Sequence, residues 1–336
     1  MPVKQQTIPT PQFVQFELPA ASVVRAELLA GLSESPPRIA PKFLYDALGS
    51  RLFDAITELP EYYPTRTEAS IFSRHGADMA RHVPEGAVMI DLGAGSCEKA
   101  TRLFPVLQPA AYVPVDISVD YLRDTLAALQ ERHPDLPMLG MGMDFSQRFT
   151  LGKSATQWLA DRALSGHPRC VFYPGSSIGN FMPDEALALL CQAHEVCAAG
   201  GPGSGLLIGV DRVKPRAVLE PAYDDALGVT AAFNRNLLLH VNRLLDADFA
   251  PQAWRHVGLF NAELSRIEMH LEARRPQSVR WPGGEQHFAA GERLHTENSY
   301  KWEPQSFQTL LQEAGFGHAR HWTDERGWFS VFWAPA

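Results

Sequence analysis

Helical spacing of apolar positions runs from Ala20 to about Leu32 and stops at Ser33-Glu34-Ser35-Pro36-Pro37. From Lys42 to Leu59 the spacing is helical again, with Phe43, Leu44, Leu48, Leu52, Phe53 and Ile56 apolar, which predicts one further helix. Pro60-Glu61-Tyr62-Tyr63-Pro64-Thr65 ends it, and Thr67-Glu68 begins another. The pattern then changes to short unbroken apolar runs at Val88-Leu92, Ala111-Asp116, Met138-Met143, Cys170-Tyr173 and Gly205-Asp211, with helical stretches between them. Strands without alternation are buried on both faces, so this rhythm predicts an α/β fold with a mainly parallel, doubly wound sheet.

The rhythm breaks after Lys214-Pro215. Val229 to Leu245 reads as a helix, and Arg266 to Arg274 alternates with Ile267, Met269 and Leu271 on one side, as a half-buried strand does. A stretch of that length without the βα rhythm predicts a second domain or large insertion. The first rhythm returns in a helix over Ser306 to Gly315 and a closing hairpin of Ala319-Thr323 with Trp328-Trp333. The expected division is a substrate-binding domain from 1–63 and 214–299, and a cofactor-binding domain from 64–213 and 300–336.

Composition narrows the partners. The chain has 336 residues, enough to bury a sizeable core, and a net charge of -8 without a basic cluster, which disfavours nucleic acid and favours a small-molecule substrate. Cys97, Cys170, Cys191 and Cys197 lack metal-ligand or disulfide-framework spacing, and His318 and His321 lack acidic or cysteine partners, so no metal is expected. The start, Met1-Pro2-Val3-Lys4-Gln5-Gln6, opens no secretory apolar core, and no run nears the roughly 20 apolar residues of a membrane span. A soluble, cytoplasmic, monomeric protein is expected.

The candidate chemistry lies at the strand ends. Asp91-Leu92-Gly93-Ala94-Gly95 turns the chain where missing side chains let backbone approach a ligand, and the next strand ends on Asp116, a carboxylate suited to a ribose diol. Glu98 stands where a dinucleotide fingerprint needs its third glycine, so NAD is disfavoured. The loop instead resembles the S-adenosylmethionine (SAM) site of Rossmann-like class I methyltransferases, in which an acid and an aromatic such as Asp144-Phe145 meet the adenine.

Longer motifs are more specific. Phe43-Leu44-Tyr45-Asp46-Ala47-Leu48-Gly49-Ser50, Leu59 to Glu68, Gly175-Ser176-Ser177-Ile178-Gly179-Asn180-Phe181 and Thr296-Glu297-Asn298-Ser299-Tyr300-Lys301 resemble the L-histidine Nα-methyltransferase family of ergothioneine biosynthesis, over nearly the whole chain beyond about Ala20. The resemblance implies successive methyl transfer from SAM to the α-amine of histidine, giving the betaine hercynine. It implies that Gly93, Gly95, Lys99, Asp116, Asp144 and Phe145 bind SAM, and that Tyr62 helps hold its amino-acid end. On the substrate side it implies Ser177, Asn180 and Tyr223, the last two at the carboxylate. Tyr45 would sit at the reacting nitrogen, Met269 would line the imidazole pocket, and Glu297 and Ser299 would contact the ring.

A carboxylate can take the ring N–H while a hydroxyl serves the other nitrogen, and residues two apart on a strand share a face. An indole offers a donor alone and needs more apolar room, so these residues favour imidazole over the alternative of a tryptophan-derived substrate. A noncatalytic SAM-binding regulator is the other alternative, disfavoured because substrate-side motifs accompany the cofactor-side ones.

Overall fold

The computed structural model describes residues 11–16 and 20–336; the start Met1-Gln6 lies outside the described residues. Its strands are β1 (Gln12–Gln15), β2 (Val88–Leu92), β3 (Ala111–Asp116), β4 (Leu139–Gly142), β5 (Arg169–Tyr173), β6 (Gly205–Asp211), β7 (Trp254–Asn261), β8 (Arg266–Ala273), β9 (Gln277–Trp281), β10 (Gly284–Phe288), β11 (Arg293–Tyr300), β12 (Arg320–Thr323) and β13 (Phe329–Pro335). Eight of them form one sheet in the order β1-β4-β3-β2-β5-β6-β13-β12. β13 runs antiparallel to both its neighbours, and the rest pair in parallel. This is the class I methyltransferase core: the strand order reverses at β2, and the crevice that opens there is where an open α/β sheet binds ligands.

The central strands are buried on both faces, as their unbroken apolar runs require. Alternation assigns β2 to two cores: Val88, Ile90 and Leu92 pack with Leu189 and Leu190 of the helix Pro183–Ala198, while Met89 packs with Ile71 and Phe72 of the helix Tyr63–Met79. A third core gathers Leu28, Phe43 and Leu44 with Phe233 and Leu237 of the helix Val229–Leu245, and with Trp254, Ile267, Met269 and Leu271 of a three-stranded sheet ordered β11-β8-β7.

Several elements depart from the sequence pattern, among them the helix expected from Thr67-Glu68, which begins at Tyr63. The helix expected over Lys42 to Leu59 is a 3-10 turn at Pro41–Leu44 followed by a helix at Ala47–Thr57, and Tyr45 sits in the break. Asp46 makes the break by capping the second helix: its Oδ1 accepts the Gly49 N–H at 2.7 Å. Asn236 (2.6 Å) and Arg243 anchor the same carboxylate from the Val229–Leu245 helix. Strand β1, parallel to β4 at the sheet edge, is also absent from the sequence reading.

Candidate active site

Gly93 and Gly95 both adopt left-handed backbone, at φ 67° and 49°, which turns the chain sharply at the end of β2. Asp116 braces the turn: its two oxygens accept the N–H groups of Gly95 (2.9 Å) and Ser118 (2.8 Å). Its carboxyl is held above the usual range by burial, against which these hydrogen bonds work. Above the turn lies a cleft of about 520 Å³, lined by Gly93, Gly95, Asp116, Asp144, Phe145 and Tyr173 on the sheet side and by Glu27, Lys42, Tyr45, Phe53 and Asp54 on the other. The two sides are tied directly. Lys42 Nζ bridges Glu27 and Asp144 at 2.9 Å each, Tyr121 donates to Asp54 at 2.8 Å, and the Ser118 hydroxyl donates to the Tyr45 carbonyl at 3.0 Å.

A smaller recess adjoins the cleft and shares Tyr45, Phe53, Ser177 and Asn180 with it. Its remaining wall includes Tyr62, Tyr223, Thr230, Phe233, Met269, Glu297 and Ser299. Ser177 and Asn180 arrive on a 3-10 turn after β5, made possible by left-handed Gly175 and Ser176. That turn lies against β11 at Gly179, where an added Cβ would meet the Tyr300 carbonyl at 2.8 Å. β11 presents Glu297 and Ser299 on one buried face, two residues apart as expected, just past an irregularity in its pairing with β8.

All seven substrate-side residues named from the sequence therefore line one recess, and five of the seven cofactor-side residues line the cleft. Tyr62 and Lys99 do not line the cleft. Tyr62 lies in the recess wall, edge-on to Tyr223. Lys99 is turned to buried Glu68 at 3.0 Å, and the other Glu68 oxygen accepts the Gly175 N–H at 2.8 Å.

Glu297 is the electrostatic centre of the recess. Burial raises its carboxyl from 4.5 to about 8, although the nearby Lys301 ammonium pulls it down. Its Oε2 is buried without a hydrogen-bond partner. Tyr45 is pushed well above the ordinary phenol value by burial first and then by Glu297, so it stays a neutral O–H. Its ring meets Phe53 and Phe233 edge-on at 5.6 and 5.5 Å. The aromatic wall of Phe53 and Phe233 was not singled out from the sequence, where the two phenylalanines read as ordinary apolar positions on distant helices. The Cys97 thiol, in the glycine turn, is buried and raised far out of the reactive range.

The model of a family described as "Histidine-specific methyltransferase, SAM-dependent" matches residues 24–336. The chain belongs to this family. Among the histidine-specific methyltransferases and their relatives, it is 40% identical over 319 residues to a histidine N-alpha-methyltransferase of Mycolicibacterium smegmatis, covering 93% of this chain and 94% of that one. It is 30% identical over 299 residues to ergothioneine biosynthesis protein 1 of Neurospora crassa, covering 86% of this chain and 32% of that protein. It is 26% identical over 309 residues to a 4-dimethylallyltryptophan N-methyltransferase of Arthroderma benhamiae, covering 88% of each. The family's methyl donor is SAM, and the left-handed glycine turn, the Asp116 carboxylate and the Phe145 ring suit a nucleoside without a phosphate.

Proposed function

We propose that the protein methylates the α-amine of L-histidine successively to Nα,Nα,Nα-trimethyl-L-histidine (hercynine), a step of ergothioneine biosynthesis. The observation that carries the substrate is Glu297, a buried carboxyl with an unpartnered oxygen in a recess beside the cleft. An unsatisfied buried acid calls for a polar ligand atom, and a ring N–H supplies it. Asn180 then holds the substrate carboxylate, the hydrogen-bonded pair of Tyr223 and Ser299 meets the ring, Met269 packs it, and Gly93, Gly95, Asp116, Asp144 and Phe145 hold SAM.

SAM supplies an electrophilic methyl group on sulfonium. The protein's contribution is alignment, which can lower such a barrier by several kcal/mol. Tyr45 stands where cleft and recess meet and can accept from or donate to the amine. As a neutral phenol it orients the lone pair and leaves the departing amine proton to water. The cluster of Tyr45, Phe53 and Phe233, edge-on at Tyr45 and tilted between the two phenylalanines, offers ring faces to an ammonium that gains bulk while keeping its charge, which suits repeated transfer.

Among the described residues no helix is long and apolar enough to cross a membrane, in keeping with action in the cytoplasm. The test is mass spectrometry of the purified protein with SAM and a mixture of the common amino acids. Mono-, di- and trimethylation of histidine alone is expected; methylated tryptophan instead would overturn the substrate assignment.

A further inference from the structure

Behind the recess lies a buried polar chain in which Lys301, Asp211, Lys214 and Tyr63 have no part in the reaction as described. Lys301, which follows β11, has a side chain wholly removed from solvent, and its ammonium has three partners: Asp211 Oδ2 at 2.9 Å, Tyr223 Oη at 2.9 Å and Ser299 Oγ at 2.7 Å. Tyr223 and Ser299 also bond each other at 2.8 Å. Asp211 is held in turn by Lys214 and by the Tyr63 hydroxyl, so its charge is balanced from three directions.

An ammonium has donors only, so both hydroxyl oxygens must accept from Lys301. One hydroxyl then donates to the other. In either direction of that bond, the hydroxyl that accepts has both its acceptor positions filled and its own hydrogen unspent. The pair therefore offers a ligand one O–H donor, from a group that can no longer accept, beside a single acceptor position left on the hydroxyl that donates. Glu297 lines the same recess and supplies a carboxyl acceptor.

We propose that Lys301 is a positioning residue for substrate recognition: by donating to Tyr223 and Ser299 together it fixes their pair as a donor, so the recess selects a ring bearing an acceptor nitrogen as well as an N–H, an uncharged imidazole. This inference rests on the histidine reading above. Imidazolium, pyrrole and indole rings lack the acceptor and leave a buried O–H without a partner, which the site disfavours.

The test compares L-histidine with β-(pyrrol-3-yl)alanine, which keeps the ring N–H and replaces the acceptor nitrogen by C–H. Calorimetric Kd values are measured for both ligands on the wild type and on Lys301→Met, with SAM affinity as the control for folding. The wild type is expected to prefer histidine at least tenfold, and Lys301→Met to bring the ratio towards one while leaving SAM affinity within about twofold. A merely structural lysine would weaken both ligands alike and leave the ratio intact, and that result overturns the proposal. If Lys301→Met does not fold, Lys301→Gln carries the test, because its amide can still donate to Asp211 but cannot serve both hydroxyls, and the ratio is again expected to fall. Failure of the wild type to bind histidine would refute the histidine reading itself, before Lys301 is in question.

Discussion

Glu297→Gln gives a sharp test of the recess electrostatics in the ligand-free protein. Burial lifts this carboxyl from 4.5 to about 8, so between those values the folded state holds a proton that the unfolded chain has lost. Stability contributed by this group is therefore greatest in acid and declines as pH rises through that window. At about 1.4 kcal/mol per pH unit, full ionisation costs the wild type roughly 4 to 5 kcal/mol, of which roughly 2 to 3 falls between pH 6 and pH 9. Glutamine has the same shape and never ionises. Urea denaturation of both proteins at the two pH values, without ligands, should show the variant's stability relative to wild type growing by that amount at pH 9. Other titrating groups are common to both proteins and largely cancel in the difference. A gap that is the same at pH 6 and pH 9 would refute the assignment of a buried, proton-holding carboxyl.

Three further outcomes are expected. Glu297→Ala should weaken histidine binding by about 1 to 3 kcal/mol, through loss of the ring's polar partner, and unchanged affinity in calorimetry would remove Glu297 from substrate recognition. Tyr45→Phe should lower kcat more than it weakens SAM binding, since Tyr45 stands at the junction of cleft and recess; equal losses in stopped-flow turnover and in SAM titration would contradict that placement. Gly93→Ala should cost about 1 to 2 kcal/mol in thermal denaturation from the φ of 67° alone, because an added Cβ meets nothing nearer than Phe145 at 3.8 Å; an unaltered melting temperature would show that the turn relaxes.

The sheet was legible because each central strand is a short apolar run ending in a glycine turn or an acid, and burial on both faces leaves little choice of residue. Glu297 and Ser299 were expected to share a face if they lay on a strand, which β11 supplies, and their role was implied only by the resemblance of their motif. What sequence spacing could not show were contacts made across the fold. Lys42 looked like the first residue of a helix, yet it meets Asp144 across the cleft. Tyr45 looked helical until Asp46, anchored by Asn236 and Arg243, claimed the Gly49 N–H and broke the run. Lys99 had a cofactor role implied by the resemblance, but its partner Glu68 comes from an earlier helix and stood in the sequence as the end of a motif, with no pairing implied. Lys301 was quoted in its motif without a task, because its task depends on Asp211, a residue of β6.

The single Glu68 carboxylate, which holds Lys99 beyond the glycine turn and the Gly175 amide before the Ser177–Asn180 turn, has a consequence for how such an enzyme can change. The loop that serves the donor and the loop that meets the acceptor are pinned to one post, so neither can drift without disturbing the other. Among the described residues, the side-chain hydrogen bonds of Tyr223 and Ser299 on the far wall of the recess run to each other and to Lys301, the Tyr223 carbonyl meets His256, and none of these reaches the glycine turn or Glu68. Substitutions on that far wall are therefore expected to change which amine is accepted while leaving the donor loop as it is.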